Sequence, residues 1–279
     1  MQTIHSCNEV RLCIQQWRSN GESIAFVPTM GNLHTGHLSL VKKAAEVAEH
    51  VVVSIFVNPL QFNDLSDYTN YPRTLDDDLE KLKAFSVDWV FVPAETELYP
   101  QGRETSTIVS EPMLASILEG EQRPGHFTGV TTIVAKLFNI VQPDYAIFGE
   151  KDYQQLRIVQ KMVSDLNMPI NIIGMSTTRE EDGLAMSSRN SRLDPQQRQQ
   201  ATGIYQVLNE IRQQILAGEH DYAQLQQNAR RKLDENGFET EYVAIRSAVT
   251  LMEPGNNEDL IILVAARLGD TRLIDNLRI

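Results

Sequence analysis

Two histidines lie three residues apart in the segment Pro28-Thr-Met-Gly-Asn-Leu-His-Thr-Gly-His37. A short apolar run, residues 23–29, leads into this segment and a helical pattern follows it, so His34 and His37 are predicted to share a face at a helix start. A helix N-terminus offers unpaired N–H groups and partial positive charge, and Gly36 allows close backbone approach. The pattern favours a triphosphate site in which two imidazoles stabilise developing charge. A structural pair of histidines stays open as an alternative, and metal ligation is disfavoured because no third ligand is nearby.

Two further segments carry residue types that bind phosphate. Gly149-Glu-Lys-Asp152 follows a strand predicted at residues 145–148, and ligands of open α/β sheets bind beyond the carboxyl ends of strands. Lys151 can meet a phosphate as a point charge, whereas Asp152 suits a helix N-cap. Met186-Ser-Ser-Arg-Asn190 combines two hydroxyls with a guanidinium that could close over phosphates. Taken alone, this last segment is more typical of a solvated loop, because Ser and Arg are common in such loops.

Over the first two thirds of the chain, predicted strands and helices alternate, and these elements must position the residues named above. Strands are predicted at residues 23–29, 51–57, 88–92, 145–148 and 170–174, and helices at 38–49, 74–85, 130–141 and 152–166. The run at 51–57 is almost wholly apolar, as in strands buried on both faces of a parallel sheet. The alternation predicts an α/β fold with a Rossmann-like parallel sheet.

The pattern changes after a polar connector near residue 176. Asp194-Pro195 is a helix start signal, with Asp as N-cap and Pro at the first helical position, and predicts one helix as far as Ala217. A second helix is predicted at 222–236, and three strands at 241–246, 260–266 and 271–274. We therefore expect a Rossmann-like catalytic domain over residues 1–177 and a smaller α+β lid domain over 178–279.

Charge and composition exclude several classes of function. With 25 Lys and Arg against 37 Asp and Glu, the net charge is −12, which disfavours a nucleic-acid partner. The apolar runs are too short for a membrane helix. Cys7 and Cys13 form no CxxC pair and suggest neither zinc nor a disulfide framework. The first ten residues lack a basic and an apolar region, so we expect no secretory signal and a cytoplasmic location.

His-x-Gly-His after the first strand, with a Ser/Arg segment downstream, resembles the arrangement of the nucleotidyltransferase superfamily. Within it the chain is similar, essentially end to end, to the pantothenate synthetase (pantoate–β-alanine ligase) family. The matching blocks are VPTMGNLHTGH (27–37), VSIFVNPLQF (53–62), YPRTLDDDLEKL (71–82), LEGEQRPGHFTGVTTIVAKLFNIVQPD (118–144), FGEKDYQQL (148–156), DGLAMSSRN (182–190) and LVAARLGDTRLIDN (263–276). So many blocks at family spacing are far more specific than His-x-Gly-His alone.

The resemblance implies ATP-dependent condensation of (R)-pantoate with β-alanine to pantothenate, AMP and pyrophosphate through a pantoyl adenylate. It implies four catalytic residues, His34, His37, Lys151 and Arg189, with His37 as the proton donor. The implied ATP-binding residues are Met30, Gly31, Asn32, Leu33, His34, Thr35, Gly36, His37, Gly149, Glu150, Lys151, Asp152, Thr178, Met186, Ser187, Ser188 and Arg189. The implied residues for pantoate and β-alanine are Gln61, Gln155 and Asn58. At Thr178 the family commonly has a branched apolar residue, so a side-chain contact to adenine is expected to differ while a backbone contact survives.

The resemblance also implies Mg²⁺ and a homodimer formed through the first domain. Asp77 is the candidate metal-site residue; the alternative is that Asp76, Asp77 and Asp78 simply stabilise the first turn of a helix. Arg123 and His126 are expected to have a supporting role near the site. The competing functions are a nucleotidyltransferase that stops at the adenylylated product and a catalytically silent nucleotide-binding protein. A tRNA synthetase is disfavoured by the size and acidity of the chain.

Overall fold

The computed structural model describes residues 1–279, apart from the side chain of Leu65. The chain divides into two compact units, one formed by Met1–Glu150 with Gln155–Ser176 and the other by Lys151–Gln154 with Thr177–Ile279. The short segment 151–154 thus groups with the C-terminal part of the chain, although it directly follows the last residue of the segment Met1–Glu150.

The first unit alternates strands and helices. Its strands are β1 (Gln2–Ile4), β2 (Ile24–Thr29), β3 (His50–Ile55), β4 (Trp89–Phe91), β5 (Tyr145–Gly149) and β6 (Asn171–Met175). Its helices are α1 (Cys7–Ser19), α2 (Thr35–Val47), α3 (Leu65–Thr69), α4 (Leu75–Leu82), α5 (Glu95–Leu98), α6 (Glu119–Gln122), α7 (His126–Val141) and the larger part of α8 (Tyr153–Asp165). Throughout the described chain, no helix is both long and apolar enough to cross a bilayer.

The six strands form one parallel sheet in the order β1-β4-β3-β2-β5-β6. The strand order reverses between β2 and β5, and such a reversal opens a ligand-binding crevice beyond the carboxyl ends of the two strands. The segment that follows β2 carries His34, and Gly149-Glu150 lies at the carboxyl end of β5. The predicted Rossmann-like sheet is therefore confirmed, and it places these two sequence motifs at the reversal.

The apolar run at β3 explains how the sheet is buried on both faces. Val51 and Val53 belong to one core cluster and Val52 to the other, because successive side chains point to opposite faces of a strand. All three are at most 1% exposed. Helices cover both faces of a parallel sheet, which is why its central strands are apolar throughout rather than alternating.

The second unit is the expected small α+β fold. It contains α9 (Pro195–Gln200), α10 (Gly203–Leu216), α11 (Tyr222–Glu235), β7 (Glu239–Ser247), β8 (Leu260–Leu268) and β9 (Thr271–Arg278). The strands form an antiparallel sheet in the order β7-β8-β9. Leu208 and Leu233 from the helices and Ile245 and Ile262 from the strands are fully buried in one core cluster.

The prediction of a single helix from Asp194 to Ala217 is wrong, because two helices, α9 and α10, occupy this stretch. Ile204 N donates to the carbonyl of Ala201 three residues back, and the Thr202 hydroxyl donates to the Gln199 carbonyl at 2.8 Å. These local bonds replace regular α-helical pairing at the junction. The periodic pattern of apolar residues continues through the break, so this pattern does not indicate that the helix is interrupted.

Two elements at the N-terminus, β1 and α1, have no counterpart among the predicted elements. Helix α1 nevertheless has a capping signal in its sequence. Ser6 is the N-cap, and its hydroxyl accepts from the backbone N–H of Asn8 at 3.2 Å. Glu9 follows three residues later, the spacing of a capping box. Strand β1 has only three residues, too few for a periodicity.

Helix α7 approaches the turn Pro59–Gln61 with no room between the two backbones. A Cβ added at Gly129 would lie 2.4 Å from the carbonyl oxygen of Leu60 and 2.6 Å from Gln61 N. The Gly129 carbonyl in turn accepts a hydrogen bond from the Asn58 side chain at 3.1 Å. Glycine at this position therefore sets where Asn58 and Gln61 lie.

Gly129→Ala should destabilise the first unit by about 1–3 kcal/mol, because the methyl group forces the α7 and 59–61 backbones apart. Both tryptophans of the chain, Trp17 and Trp89, lie in this unit, so urea unfolding followed by tryptophan fluorescence measures its stability. Gly149→Ala is the control, since a Cβ there meets nothing within 4 Å. Equal stabilities of the two variants would contradict this packing argument.

Candidate active site

A buried carboxylate holds the loop between β2 and α2. Asp78 of α4 is 0% exposed and accepts the backbone N–H groups of Asn32 at 2.8 Å and Leu33 at 2.7 Å. The Thr74 hydroxyl lies 3.2 Å from the same carboxylate. Gly31 (φ +81°) and Asn32 (φ +51°) both adopt left-handed backbone, which brings consecutive N–H groups toward Asp78. Asp78 therefore fixes the loop that enters the histidine segment.

Two more side chains hold the same loop. Lys81, one turn further along α4, donates to the Leu33 carbonyl at 2.8 Å. At the end of β2, the Thr29 hydroxyl donates to the Ser54 carbonyl at 2.8 Å and accepts from Gly31 N at 3.2 Å. Every residue from 31 to 33 thus has a backbone group anchored by a neighbouring side chain. A loop restrained in this way is preorganised for a ligand.

His34 and His37 cap helix α2 reciprocally, which determines which ring nitrogen carries the proton. Gly36 N donates to His34 Nδ1 at 3.2 Å, and His34 N makes a long 3.4 Å contact to His37 Nδ1. A nitrogen that accepts from a backbone N–H is unprotonated, so a neutral ring in this geometry carries its proton on Nε2. The ring centroids are 4.1 Å apart. The predicted position of both histidines at a helix start is therefore confirmed.

This geometry supplies donors for an anion. Two Nε2–H groups and the first N–H groups of a helix can all bind phosphate oxygens without bringing a full charge. Gly149 and Glu150 lie in the same unit, at the carboxyl end of β5, the strand that pairs with β2. The first unit thereby brings together the Met30–His37 segment and Gly149-Glu150 at the reversal of strand order.

A chain of amide hydrogen bonds orients Gln61. Asn58, 1% exposed, donates from Nδ2 to Gln61 Oε1 at 3.1 Å and accepts from the Tyr99 hydroxyl at 2.8 Å. Burial raises the pKa of Tyr99, so its hydroxyl keeps the proton that it donates. Because Gln61 Oε1 accepts from Asn58, the Gln61 Nε2 group is the donor, and it lies 3.2 Å from Met30 Sδ. The amide thus presents N–H groups beside the Met30–His37 segment.

Arg123 and His126 support Gln61 from its backbone side. His126 Nδ1 lies 2.7 Å from the Gln61 carbonyl and therefore donates to it, while His126 Nε2 lies 3.2 Å from Arg123 Nη1 and accepts. Arg123 also pairs with Glu119 at 3.2 Å. The supporting position expected for Arg123 and His126 thus has a definite geometry. Gln155, the other expected amide, is partly buried in the first turn of α8.

In the second unit, the segment carrying Thr178 and Met186 is a small hairpin. Met186 N donates to the Thr178 carbonyl at 2.9 Å, and Arg179 and Ala185 form an antiparallel bridge. The turn ends at Gly183 (φ +91°), where a Cβ would lie 2.2 Å from the Tyr205 ring. Only glycine suits both the backbone and this contact. The polar connector predicted here is therefore an ordered element.

Arg198 ties this hairpin to α9. Its guanidinium contacts Asp182 and Glu180, each at 2.7 Å. Hydrogen bonds from Arg198 hold the pKa of Asp182 below its usual range. Asn190 bridges Glu180 Oε1 at 3.2 Å and the Ala185 carbonyl at 3.0 Å. The segment between hairpin and α9 contains Ser187, Ser188 and Arg189, so its two ends are anchored.

Ser187 caps a 3₁₀ turn that spans Ser188–Arg192. Its hydroxyl accepts from Arg189 N at 3.2 Å. Lys151 and Asp152 also belong to the second unit, as part of the segment 151–154. Lys151 is partly buried and Asp152 is exposed. This unit therefore contains the expected phosphate-binding residues Lys151, Ser187, Ser188 and Arg189.

The three acids of the α4 first turn have different environments. Asp76 and Asp77 are exposed, whereas Asp78 is fully buried and holds the loop before α2. Among the described side chains, no group of three or more His, Cys, Asp or Glu is arranged to hold a metal ion. Asp77, the candidate metal-site residue, is thus one of two adjacent exposed carboxylates, and its role toward an ion stays a prediction.

Several supporting residues have no clear signal in the sequence. Asp78 is one of three consecutive acids, and helical phase alone does not say which of them meets a loop 45 residues away. Tyr99, Gly129 and Arg198 act through contacts distant in sequence. The turn at Gly183 does have a signal in the sequence, because an Asp-Gly pair is typical of turns.

A model of the family described as Pantoate-beta-alanine ligase matches residues 2–278. A pantothenate synthetase of Pseudomonas entomophila is 50% identical over 278 residues, covering 99% of this chain and 97% of that relative. One of Aliivibrio fischeri is 52% identical over 265 residues, covering 95% and 91%.

Two solved structures are similar along the whole chain. A pantothenate synthetase from Thermus thermophilus has a TM-score of 0.92 at 43% identity and covers 99% of both chains. A pantoate-beta-alanine ligase from Francisella tularensis, complexed with beta-gamma ATP and beta-alanine, has a TM-score of 0.85 at 35% identity and covers 100% of this chain and 97% of that one. Identity at this level over full length supports shared architecture and shared chemistry.

Asp78→Asn should destabilise the first unit by about 1–3 kcal/mol, because an amide leaves one of the two buried N–H groups without its acceptor. Asp77→Asn, at the exposed neighbouring position, should stay within about 0.5 kcal/mol of the parent. Urea unfolding followed by tryptophan fluorescence compares the two. If both variants are as stable as the parent, Asp78 does not hold the loop.

Proposed function

The chain belongs to the pantoate–β-alanine ligase family, and we propose that the residues described above carry out this family's reaction. The reaction joins pantoate to β-alanine at the expense of ATP. Its products are pantothenate, AMP and pyrophosphate. The observation that carries the residue assignment is the reciprocal cap of α2, which leaves His34 and His37 with protons on Nε2 at a helix N-terminus.

The chemistry has two steps, because a carboxylate is a poor acyl donor. A pantoate carboxylate oxygen attacks the α-phosphorus of ATP, a new P–O bond forms, and the bond to pyrophosphate breaks. The resulting pantoyl adenylate is a mixed anhydride. The β-alanine amine then attacks its carbonyl carbon, loses a proton, and AMP leaves with the bonding electrons. Neither step needs a covalent enzyme intermediate, so the enzyme must chiefly position substrates, stabilise charge and exclude water.

We assign the phosphate-binding roles by residue type and position. His34 and His37 donate Nε2–H hydrogen bonds to triphosphate oxygens, and the bond from His37 stabilises the charge that develops as pyrophosphate departs. Lys151 and Arg189 supply positive charge, and Ser187 and Ser188 supply hydroxyl donors. The backbone of Met30, Gly31, Asn32, Leu33, Thr35 and Gly36, together with Gly149, Glu150, Asp152, Thr178 and Met186, completes the proposed ATP-binding set.

For pantoate we propose Gln61 and Gln155 as the binding amides. The Gln61 donor orientation suits a carboxylate or hydroxyl oxygen. The polar atoms of Asn58 bond to Gln61, Gly129 and Tyr99. We therefore propose that Asn58 orients Gln61, and that its effect on pantoate binding is exerted through that amide.

Magnesium is proposed to enter with ATP as the metal–triphosphate complex. Mg²⁺ neutralises phosphate charge, keeps several waters, and uses one or two carboxylates. Asp77 is the proposed carboxylate, supported by its exposure at the first turn of α4. A homodimer formed through the first unit and a cytoplasmic location are further proposals. The resemblance supports the dimer, and sedimentation equilibrium tests it.

The overall reaction is tested by mixing the purified chain with ATP, Mg²⁺ and pantoate, with and without β-alanine. We expect pantothenate and AMP to form in equal amounts only when β-alanine is present. Release of pyrophosphate with a stable adenylylated product, unaffected by β-alanine, would instead indicate a nucleotidyltransferase. No turnover under any condition would indicate a catalytically silent nucleotide-binding protein.

His34→Asn separates the capping role of His34 from its proposed role toward ATP. Asparagine is a good N-cap and retains an acceptor for Gly36 N, but it lacks the Nε2–H donor. We expect unfolding free energy within about 0.5 kcal/mol of the parent, and adenylate formation slowed by about 10²–10³-fold, as for loss of one transition-state donor. Single-turnover pyrophosphate release measures the rate. A stable variant with the parental rate would remove His34 from the mechanism.

A further inference from the structure

The last strand of the chain carries two adjacent buried polar side chains. Asp275 is 5% and Asn276 is 6% exposed, both on β9 in the second unit. Asn276 Nδ2 donates to the main-chain carbonyl of Lys151 at 2.9 Å. The bond joins residues 125 positions apart in sequence but within one compact unit. The segment that contains Lys151 is therefore fixed from β9.

A second contact holds the same segment. The Tyr153 hydroxyl donates to the Ala248 carbonyl at 2.8 Å. Tyr153 is 5% exposed. Two side-chain bonds thus restrain residues 151–154 on both sides of Asp152, which explains why this short segment groups with the C-terminal part of the chain. Of the two, only the Asn276 bond reaches the backbone of Lys151 itself.

Asp275 holds the hairpin that precedes the Ser/Arg segment. Arg179 donates to both carboxylate oxygens of Asp275, at 2.7 Å and 2.9 Å, in a bidentate pair. The same guanidinium donates to the carbonyls of Gly183 and Asn276, each at 3.0 Å. Its carbon lies 4.0 Å from the centroid of the Tyr205 ring. Arg179 therefore makes three hydrogen bonds to β9, one to the hairpin turn and one ring contact to α10, and so joins the turn to β9.

Burial and the neighbouring cations act in opposite directions on the charge of Asp275. Desolvation raises the pKa of Asp275, while the nearby cations Arg179 and Lys151 act to lower it. Breaking a buried ion pair by removing one partner is costly, because the remaining charge is left without compensation. The contacts through Asp275 and Asn276 are thus rigid ones, not surface ion pairs that exchange with water.

We propose that Asp275 and Asn276 are positioning residues that set Lys151 and the Thr178–Arg189 segment in fixed register with each other. Strand β9 then determines the distance between the charge of Lys151 and the hydroxyl and guanidinium donors of the Thr178–Arg189 segment. This inference rests on the proposed function, in which Lys151 and Arg189 bind the triphosphate. Asp275 and Asn276 themselves touch no substrate. Small displacements of a correctly charged group cost catalysis heavily, so loss of either contact weakens ATP use.

A matched ion pair on the same strand provides the control. Arg272 of β9 pairs with Glu241 of β7 at 2.7 Å, with side chains 16% and 17% exposed. The pair has the same chemistry as Arg179–Asp275, but its hydrogen bonds join β9 to β7 rather than to the hairpin. Arg272→Gln therefore reports the effect of weakening the second unit without disturbing the register of the phosphate-binding residues.

The experiment compares Asn276→Ala, Asp275→Asn, Arg272→Gln and Lys151→Ala in the full-length chain. For each we measure pantoate-dependent exchange of pyrophosphate with ATP, the KM for ATP and for β-alanine, and thermal unfolding. We expect Asn276→Ala to raise the KM for ATP about tenfold, with the KM for β-alanine within twofold of the parent. Asp275→Asn should act in the same direction, and Arg272→Gln should leave both KM values unchanged at comparable thermal stability. If Asp275→Asn fails to fold, the Asn276 and Arg272 variants still decide the question.

The outcomes distinguish the positioning role of Asp275 and Asn276 from the proposed function. If Lys151→Ala impairs exchange while Asn276→Ala and Asp275→Asn do not, the positioning role is overturned and the proposed function stands. If Arg272→Gln raises the KM for ATP as much as Asn276→Ala does, the effect is general loosening of the unit and the positioning role is again overturned. If Lys151→Ala has parental exchange kinetics, the proposed role of Lys151 fails, and with it the reason to position that residue.

Discussion

The fully buried carboxylate of Asp78 is the constraint on which the histidine segment depends. Its two backbone partners, Asn32 and Leu33, directly precede His34, so the conformation that makes His34 an N-cap is set from α4. A buried anion without partners would be unfavourable. Here two N–H groups and a hydroxyl surround it, and the positive end of the α4 dipole lies alongside. The hydrogen bonds that compensate for burying this carboxylate also hold the loop in one conformation.

The second unit uses the same physical device at different residues. Asp275 with Arg179, and Arg198 with Glu180 and Asp182, restrain the hairpin on two sides. In both units these ionic groups hold segments of the chain that lead directly into residues assigned to ATP: Asp78 bonds the backbone before His34, and Arg179 bonds the turn before Met186. These charged pairs therefore contribute more to fixing the positions of backbone segments than to the free energy of unfolding. This agrees with the small or negative net stabilisation that buried ion pairs usually provide.

Local patterns in the sequence predict much of this structure. The apolar run at β3 and the His-x-Gly-His segment each follow from a signal a few residues long, and both are placed correctly. The break between α9 and α10 leaves no such signal, because apolar periodicity continues through it. The partners of Asp78 and Asn276 lie 45 and 125 residues away. Such contacts depend on the completed tertiary fold, and resemblance to a family identifies the motifs without explaining what holds them.

The acidity of the chain is compatible with a polyphosphate ligand because imidazole Nε2–H groups and the N–H groups of a helix N-terminus can bind an anion without bringing a full charge. An imidazolium at His34 or His37 would face the positive end of the helix dipole and could not accept the backbone N–H that caps the helix. Neutral rings avoid this conflict and still offer Nε2–H groups. Fixed dipoles of this kind stabilise charge that develops in a transition state without reorganising. Full positive charge is then needed only at a few positions such as Lys151 and Arg189, and a chain with a net charge of −12 can supply it there.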